Sequence, residues 1–177
     1  MSVTRKLLTA AAAVLLISGA ACASKPKGDP NGPGDVGPGT TGPGTGVDRG
    51  DMAPIPGSEQ DFVVNVGDRV YFDFDEYVIR PDARPILDAQ AAWLNQYRSV
   101  TVRLEGNADE RGTREYNFAL GGRRAAAVRD YLVQRGVNPS RIETISYGKE
   151  RPIDPGSNEE AWARNRNTHT AITGGAR

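Results

Sequence analysis

Val100-Thr101-Val102-Arg103-Leu104-Glu105-Gly106-Asn107-Ala108-Asp109-Glu110-Arg111-Gly112-Thr113-Arg114-Glu115-Tyr116-Asn117 is the stretch whose reading decides the fold. Its first six residues alternate. Val100, Val102 and Leu104 point one way and Thr101, Arg103 and Glu105 the other, which is the period of a half-buried strand. Gly106 ends that strand, and Gly112 permits backbone geometry closed to other residues. Thr113 suits a helix N-cap, and Glu115 in the first turn suits the helix dipole. A long helix therefore starts at Arg114 and runs to Arg135, with Ala125, Val128 and Leu132 on one side and Gly136 as its stop. Strand, glycine-bounded loop and helix follow each other without a break.

The same pattern extends on both sides. Val70 to Phe74 is rich in aromatic and β-branched residues and reads as a strand. Pro81 to Tyr97 reads as a helix, with Pro81 in its first turn and Ala83, Ile86, Leu87, Ala91 and Leu94 on one face. After the long helix, Ile142 to Tyr147 is a third strand and Gly148 to Asn158 a Gly- and Pro-containing loop. Glu159 to Asn165 suits a short helix and Thr168 to Thr173 a last strand. Strands separated by helices predict an α/β layer with helices packed on one sheet. Periodicity does not tell a mixed sheet from a parallel one.

Residues 1–57 are of a different kind. Arg5 and Lys6, the apolar run Leu7 to Ile17 and the small residues Ser18 to Ala21 have the form of an export signal over 1–21. The apolar run is shorter than the ~20 residues of a spanning helix. Cys22 is the only cysteine and stands where the small residues end. It is either a leftover thiol after ordinary cleavage or the lipidated residue of a lipoprotein signal, and Gly19-Ala20-Ala21-Cys22 resembles a lipobox. Residues 22–57 are dominated by Gly, Pro, Thr and Asp and read as a flexible linker, with an rms reach of roughly 30–35 Å. Their glycines do not keep a triplet, which excludes collagen. Gly32-Pro33-Gly34-Asp35-Val36-Gly37 matches a dinucleotide-binding pattern but lacks the strand before it and the helix after it. Residues 58–177 form the folded domain on this reading.

Composition narrows the function. Basic and acidic residues number 22 each, so no basic excess points to nucleic acid. One cysteine and one histidine, His169, exclude a Cys/His zinc site, which takes about four such ligands. No metal and no cofactor are expected. His169 reads as a strand residue, and Trp93 and Trp162 as packing residues.

Asp109 sits in the loop and Arg124 on the helix, where it borders the apolar stripe between Leu120 and Ala125. One reading makes Asp109 a loop carboxylate with no ligand. The other lets a zwitterion bridge the pair, its ammonium on Asp109 and its carboxylate on the Arg124 fork. Glycoside hydrolysis by Asp109 or Glu110 with Glu105 would need carboxyls ~5–9.5 Å apart. Alternation turns Glu105 away from the Leu104 face, and nothing marks a raised pKa, so no enzyme is expected.

Asp109-Glu110-Arg111-Gly112-Thr113 with Glu115-Tyr116-Asn117, and Ser146-Tyr147-Gly148-Lys149-Glu150-Arg151-Pro152, resemble the peptidoglycan-recognition signature of the OmpA-like domains, specifically of their lipid-anchored members. The resemblance covers about residues 65–172. It implies a βαβαβ sandwich with helices on one mixed sheet. It also implies non-covalent binding of the meso-diaminopimelate of the stem peptide, with Asp109 and Arg124 as the binding pair. Asn107, Ala108, Gly112, Thr113 and Leu120 accompany them in the motif. Phe74 and Asp75 match a second binding segment, and Asn165-Arg166 the Asn-Arg of the C-terminal motif. Where the family often carries His, this chain has Asn107. Where it carries a second Arg and apolar residues, this chain has Asn167, Thr168 and His169. The resemblance further implies an outer-membrane lipid anchor at Cys22 with the domain in the periplasm, and TolB as a partner within the Tol system that serves envelope integrity and division. The alternative is a wall-binding lipoprotein outside that system. Arg111 is read as exposed, so its truncation is expected to matter less than that of Arg124.

Overall fold

A computed structural model describes residues 53–177. The signal, Cys22 and most of the predicted linker lie outside the described residues. One four-stranded sheet organises the domain in the order β1-β4-β2-β3, with β1 Arg69–Tyr71, β2 Thr101–Asn107, β3 Ile142–Gly148 and β4 Asn167–Gly174. β2 and β3 are parallel, while β4 runs antiparallel to both β1 and β2. The sheet is therefore mixed, as the resemblance implied. The last strand takes a central position, because β4 pairs on both edges.

The sheet faces follow from alternation. Val70, Val102 and Leu104 enter a core shared with Leu87, Ala91 and Leu94 of α2 (Arg84–Gln96) and Val128 and Leu132 of α3 (Arg114–Gln134). The opposite face carries Arg103, Glu105 and His169. There the imidazole bridges Glu105 through Nδ1 and Asp68 through Nε2, each at 3.1 Å. Gln90 is buried in the helix layer without loss, since its amide donates to the Gly67 carbonyl and its oxygen accepts from Thr170.

Three differences from the sequence reading have local causes. The first strand ends at Tyr71, not Phe74, because Phe72 to Phe74 turn out of the ladder after Phe72 N–H reaches the Arg166 carbonyl. A short helix α1 (Glu59–Asp61) runs into a π-helical stretch, Phe62–Val66, that no periodicity announced. Ordered structure also reaches back into residues read as linker. Gly57 is buried against Tyr97, and its N–H donates to the Asp61 carboxylate, which also accepts from the Trp93 indole N–H at 2.8 Å.

The element that positions the site is α3. Thr113 caps it by accepting from the Tyr116 N–H, as its sequence predicts, and Gly136 closes it in a left-handed conformation at φ 92°. Its inward stripe runs Asn117, Leu120, Gly121, Arg124, Ala125, Val128 and Leu132. The first half of that stripe carries Asn117 and Arg124 and the second half is wholly apolar, so one helix face serves a cavity at one end and the core at the other.

Candidate functional site

A cavity of about 160 Å³ opens at the N-terminal end of α3. Tyr116, Asn117, Leu120 and Arg124 come from the helix, Asp109, Arg111 and Gly112 from the loop before it, and Phe74 and Asp75 from the segment after β1. A wider groove of about 580 Å³ lies beside Arg114, Phe118, Tyr147 and Glu150, but there the Arg114–Glu150 ion pair satisfies itself at 3.1 Å.

Arg124 is wholly buried. Its Nε donates to the Glu76 carbonyl at 2.8 Å, Nη1 to the Asn107 carbonyl at 2.8 Å and Nη2 to the Asp73 carbonyl at 3.1 Å. These three acceptors orient the fork but carry no formal charge. A guanidinium has five N–H donors, so two are left unused by these bonds, on a side chain that lines the cavity. Among the described residues no carboxylate lies within ion-pair distance of it. Burial lowers its pKa to about 10, partly offset by the field of Asp109, so it is still a cation at neutral pH. A buried cation held by dipoles alone favours an anion beside it.

Asp109 is equally enclosed, with a side chain 5% exposed. Its oxygens already have partners within the chain. Arg111 grips it from two nitrogens, Nε to Oδ1 at 3.1 Å and Nη2 to Oδ2 at 2.7 Å, the Arg111 backbone N–H adds a third bond, and Arg166 a fourth at 3.3 Å. Burial pushes the carboxyl up, and the Arg111 and Arg166 contacts outweigh it, leaving the pKa below the ordinary carboxylate value. Arg111 is correspondingly not the free surface residue expected. Its guanidinium lies between the Phe74 and Trp162 rings, 4.2 and 4.1 Å from their centroids. Trp162, on α4 (Glu159–Asn165), does not line the cavity but backs the Arg111 guanidinium that does, and its indole N–H donates to Glu110.

The remaining predicted residues divide by position. Phe74, Asp75, Gly112 and Leu120 face the cavity with Asp109 and Arg124. Phe74 is 58% exposed and forms a lip. Asp75 adopts φ 58°, unusual for a residue with a side chain, and accepts a hydrogen bond from Tyr116. Asn107 contributes its carbonyl, while its side chain turns away to Asn167. Ala108 is buried with its N–H on the Gly148 carbonyl, and Thr113 caps α3; neither lines the cavity. Arg166 stands behind Asp109, tied also to Phe72 and Glu159. Asn167 bonds Arg69, Asn107 and the end of α4, so its side chain ties strands together instead of reaching a ligand. Tyr116 and Asn117 were legible in principle, one turn ahead of Leu120 and two ahead of Arg124. Trp162 carried no such signal, since a distant segment brings it in.

Residues 71–166 match the OmpA family. The peptidoglycan-associated lipoprotein of Mesorhizobium japonicum is 49% identical over 168 residues, covering 95% of this chain and 92% of that protein. That of Brucella melitensis is 50% identical over 158 residues, covering 89% and 87%. The crystal structure of the peptidoglycan-associated lipoprotein from Burkholderia pseudomallei superposes with a TM-score of 0.58 at 41% identity, covering 59% of this chain and 89% of that one.

Proposed function

This chain belongs to the OmpA family, among the peptidoglycan-associated lipoproteins, and from that premise we propose that its domain holds the cell wall by capturing the meso-diaminopimelate side chain of a stem peptide. The observation that carries the proposal is Arg124, a buried cation with spare donors facing a cavity and no ion-pair partner among the described residues. The diaminopimelate carboxylate would take that fork in a two-pronged pair, and its ammonium would take Asp109 on the opposite wall. Both charges sit on one short side chain, which suits a cavity that two arginines and two aspartates line. Capture is by fixed charges and needs no covalent step.

The proposal extends to the rest of the chain. Lipid on Cys22 would hold the outer membrane, and residues 23–57 would span to the wall, so that domain and anchor together tie one layer to the other. TolB is the proposed periplasmic partner within the Tol system, checked by pull-down with the purified protein.

The test is co-sedimentation of the full chain in detergent with purified sacculi, comparing wild type, Asp109→Ala and Arg124→Ala. Sacculi with diaminopimelate and with lysine in the stem run in parallel. Wild type is expected to pellet with diaminopimelate walls alone, and both variants to stay in solution. Variants that pellet like wild type would overturn the assignment.

A further inference from the structure

The carboxylate of Asp109 is held by the chain's own cation in the best geometry available to it. Arg111 grips both oxygens, and a planar fork matches a carboxylate in a way that an ammonium does not. Yet Arg111 is not built in. Its side chain is 31% exposed, and its Nη1 already lies 3.5 Å from Glu159 Oε2. Arg166 is the contrast, 7% exposed and pinned by Phe72 and Glu159 as well as Asp109. One of the two arginines on Asp109 can therefore turn outward without disturbing the core, and the other cannot.

We infer that Arg111 is a displaceable latch on Asp109 and the specificity-determining residue of this site. A ligand ammonium binds by driving the Arg111 guanidinium off Asp109 and onto Glu159, while the guanidinium stays stacked on Trp162. This rests on the reading in which Asp109 takes the ammonium and Arg124 the carboxylate.

The consequence is selectivity by exchange. An incoming ammonium replaces one charge-assisted pair with another, so its net gain at Asp109 is small. A ligand carrying an ammonium alone adds positive charge beside Arg124 and Arg166 and gains nothing to offset the displaced latch. A ligand whose carboxylate reaches Arg124 at the same time gains there what it forgoes at Asp109. Zwitterions are favoured over cations by the latch itself, independently of cavity shape.

Calorimetric titration of the full chain in detergent tests this with wild type, Arg111→Gln, Arg111→Lys and Arg124→Gln. The probes are a stem tetrapeptide containing meso-diaminopimelate and the same peptide acetylated on that residue's free amine. The latch predicts that Arg111→Gln binds the zwitterionic probe several-fold to about tenfold tighter than wild type and the acetylated probe equally well. Arg111→Lys, with charge but no fork, should fall between and remains informative if the Gln variant fails to fold. Weaker or unchanged binding of the zwitterionic probe by both Arg111 variants overturns the latch. Arg124→Gln separates this from failure of the underlying reading: if it binds both probes like wild type, the carboxylate assignment is wrong, and if it loses both while the Arg111 variants show no gain, only the latch is.

Discussion

Arg124 concentrates two roles in one guanidinium. Toward the protein it gathers the carbonyls of Asp73, Glu76 and Asn107, which belong to segments with no ladder between them. Toward the cavity it offers the donors left over. Replacing it removes the clamp and also releases the segment that carries Phe74 and Asp75. Arg124→Lys keeps a charge and forfeits the fork, so it tests charge against geometry. We expect Arg124→Lys to lose a few kcal/mol of wall affinity, a factor of about 100 or more, measured by titration with soluble stem peptide, and to lower thermal stability as well, because one ammonium does not reproduce the fork's hold on three carbonyls. An affinity close to wild type would mean that charge alone suffices.

At the scale of elements, the contact between α3 and β2 is made by glycine on both sides. A Cβ on Gly106 would fall 1.8 Å from the Gly121 carbonyl oxygen, and one on Gly121 would fall 2.7 Å from the Gly106 oxygen and 2.4 Å from Ser146 Oγ. Backbone blocks backbone here, so the helix must lift. Gly106→Ala is expected to destabilise by about 2–3 kcal/mol or more, lowering the melting temperature by about 8–15 °C in circular dichroism. It should also weaken wall binding, because lifting α3 moves Arg124 relative to Asp109. The helix start is a milder case. Thr113→Ala removes one exposed cap bond and should cost about 1 kcal/mol, with affinity nearly unchanged, since Thr113 does not line the cavity.

At the scale of the whole molecule, three carboxyls tie separate parts of the domain and share a direction of shift. Asp61 is held low by the Trp93 indole N–H, then by Gly57 and Asn65. In Glu105 and Asp109 burial raises the pKa, but His169 with Arg103, and Arg111 with Arg166, bring it below the ordinary value. A carboxyl with a depressed folded pKa binds its proton more readily unfolded. Its contribution is complete above the unfolded value, 3.8 for Asp and 4.5 for Glu, and is lost as pH falls through the folded one. The melting temperature should therefore fall as pH drops below about 4, with Asp61→Asn showing a shallower acid limb. A melting temperature that holds or rises below about pH 4 would contradict this.

The sequence by itself determined the order of the four strands and the three helices after the first strand, because strand alternation, helix stripes, the Thr113 cap and the Gly136 stop act between near neighbours; it did not announce the helical turn Glu59–Val66. It also offered Asp109 and Arg124 as a pair, but spacing alone left Asp109 readable as a loop carboxylate, and the family resemblance singled the pair out. Tertiary structure alone decided that β4 lies between β1 and β2, since ladder pairing joins residues far apart in the chain. It alone decided that Arg124 is buried on three carbonyls, two of them in a segment about fifty residues away. The capture of Asp109 by Arg111 was equally invisible. A loop arginine can turn to several carboxylates, and the choice falls to the aromatic slot that Phe74 and Trp162 form only when the segment after β1 and helix α4 come together.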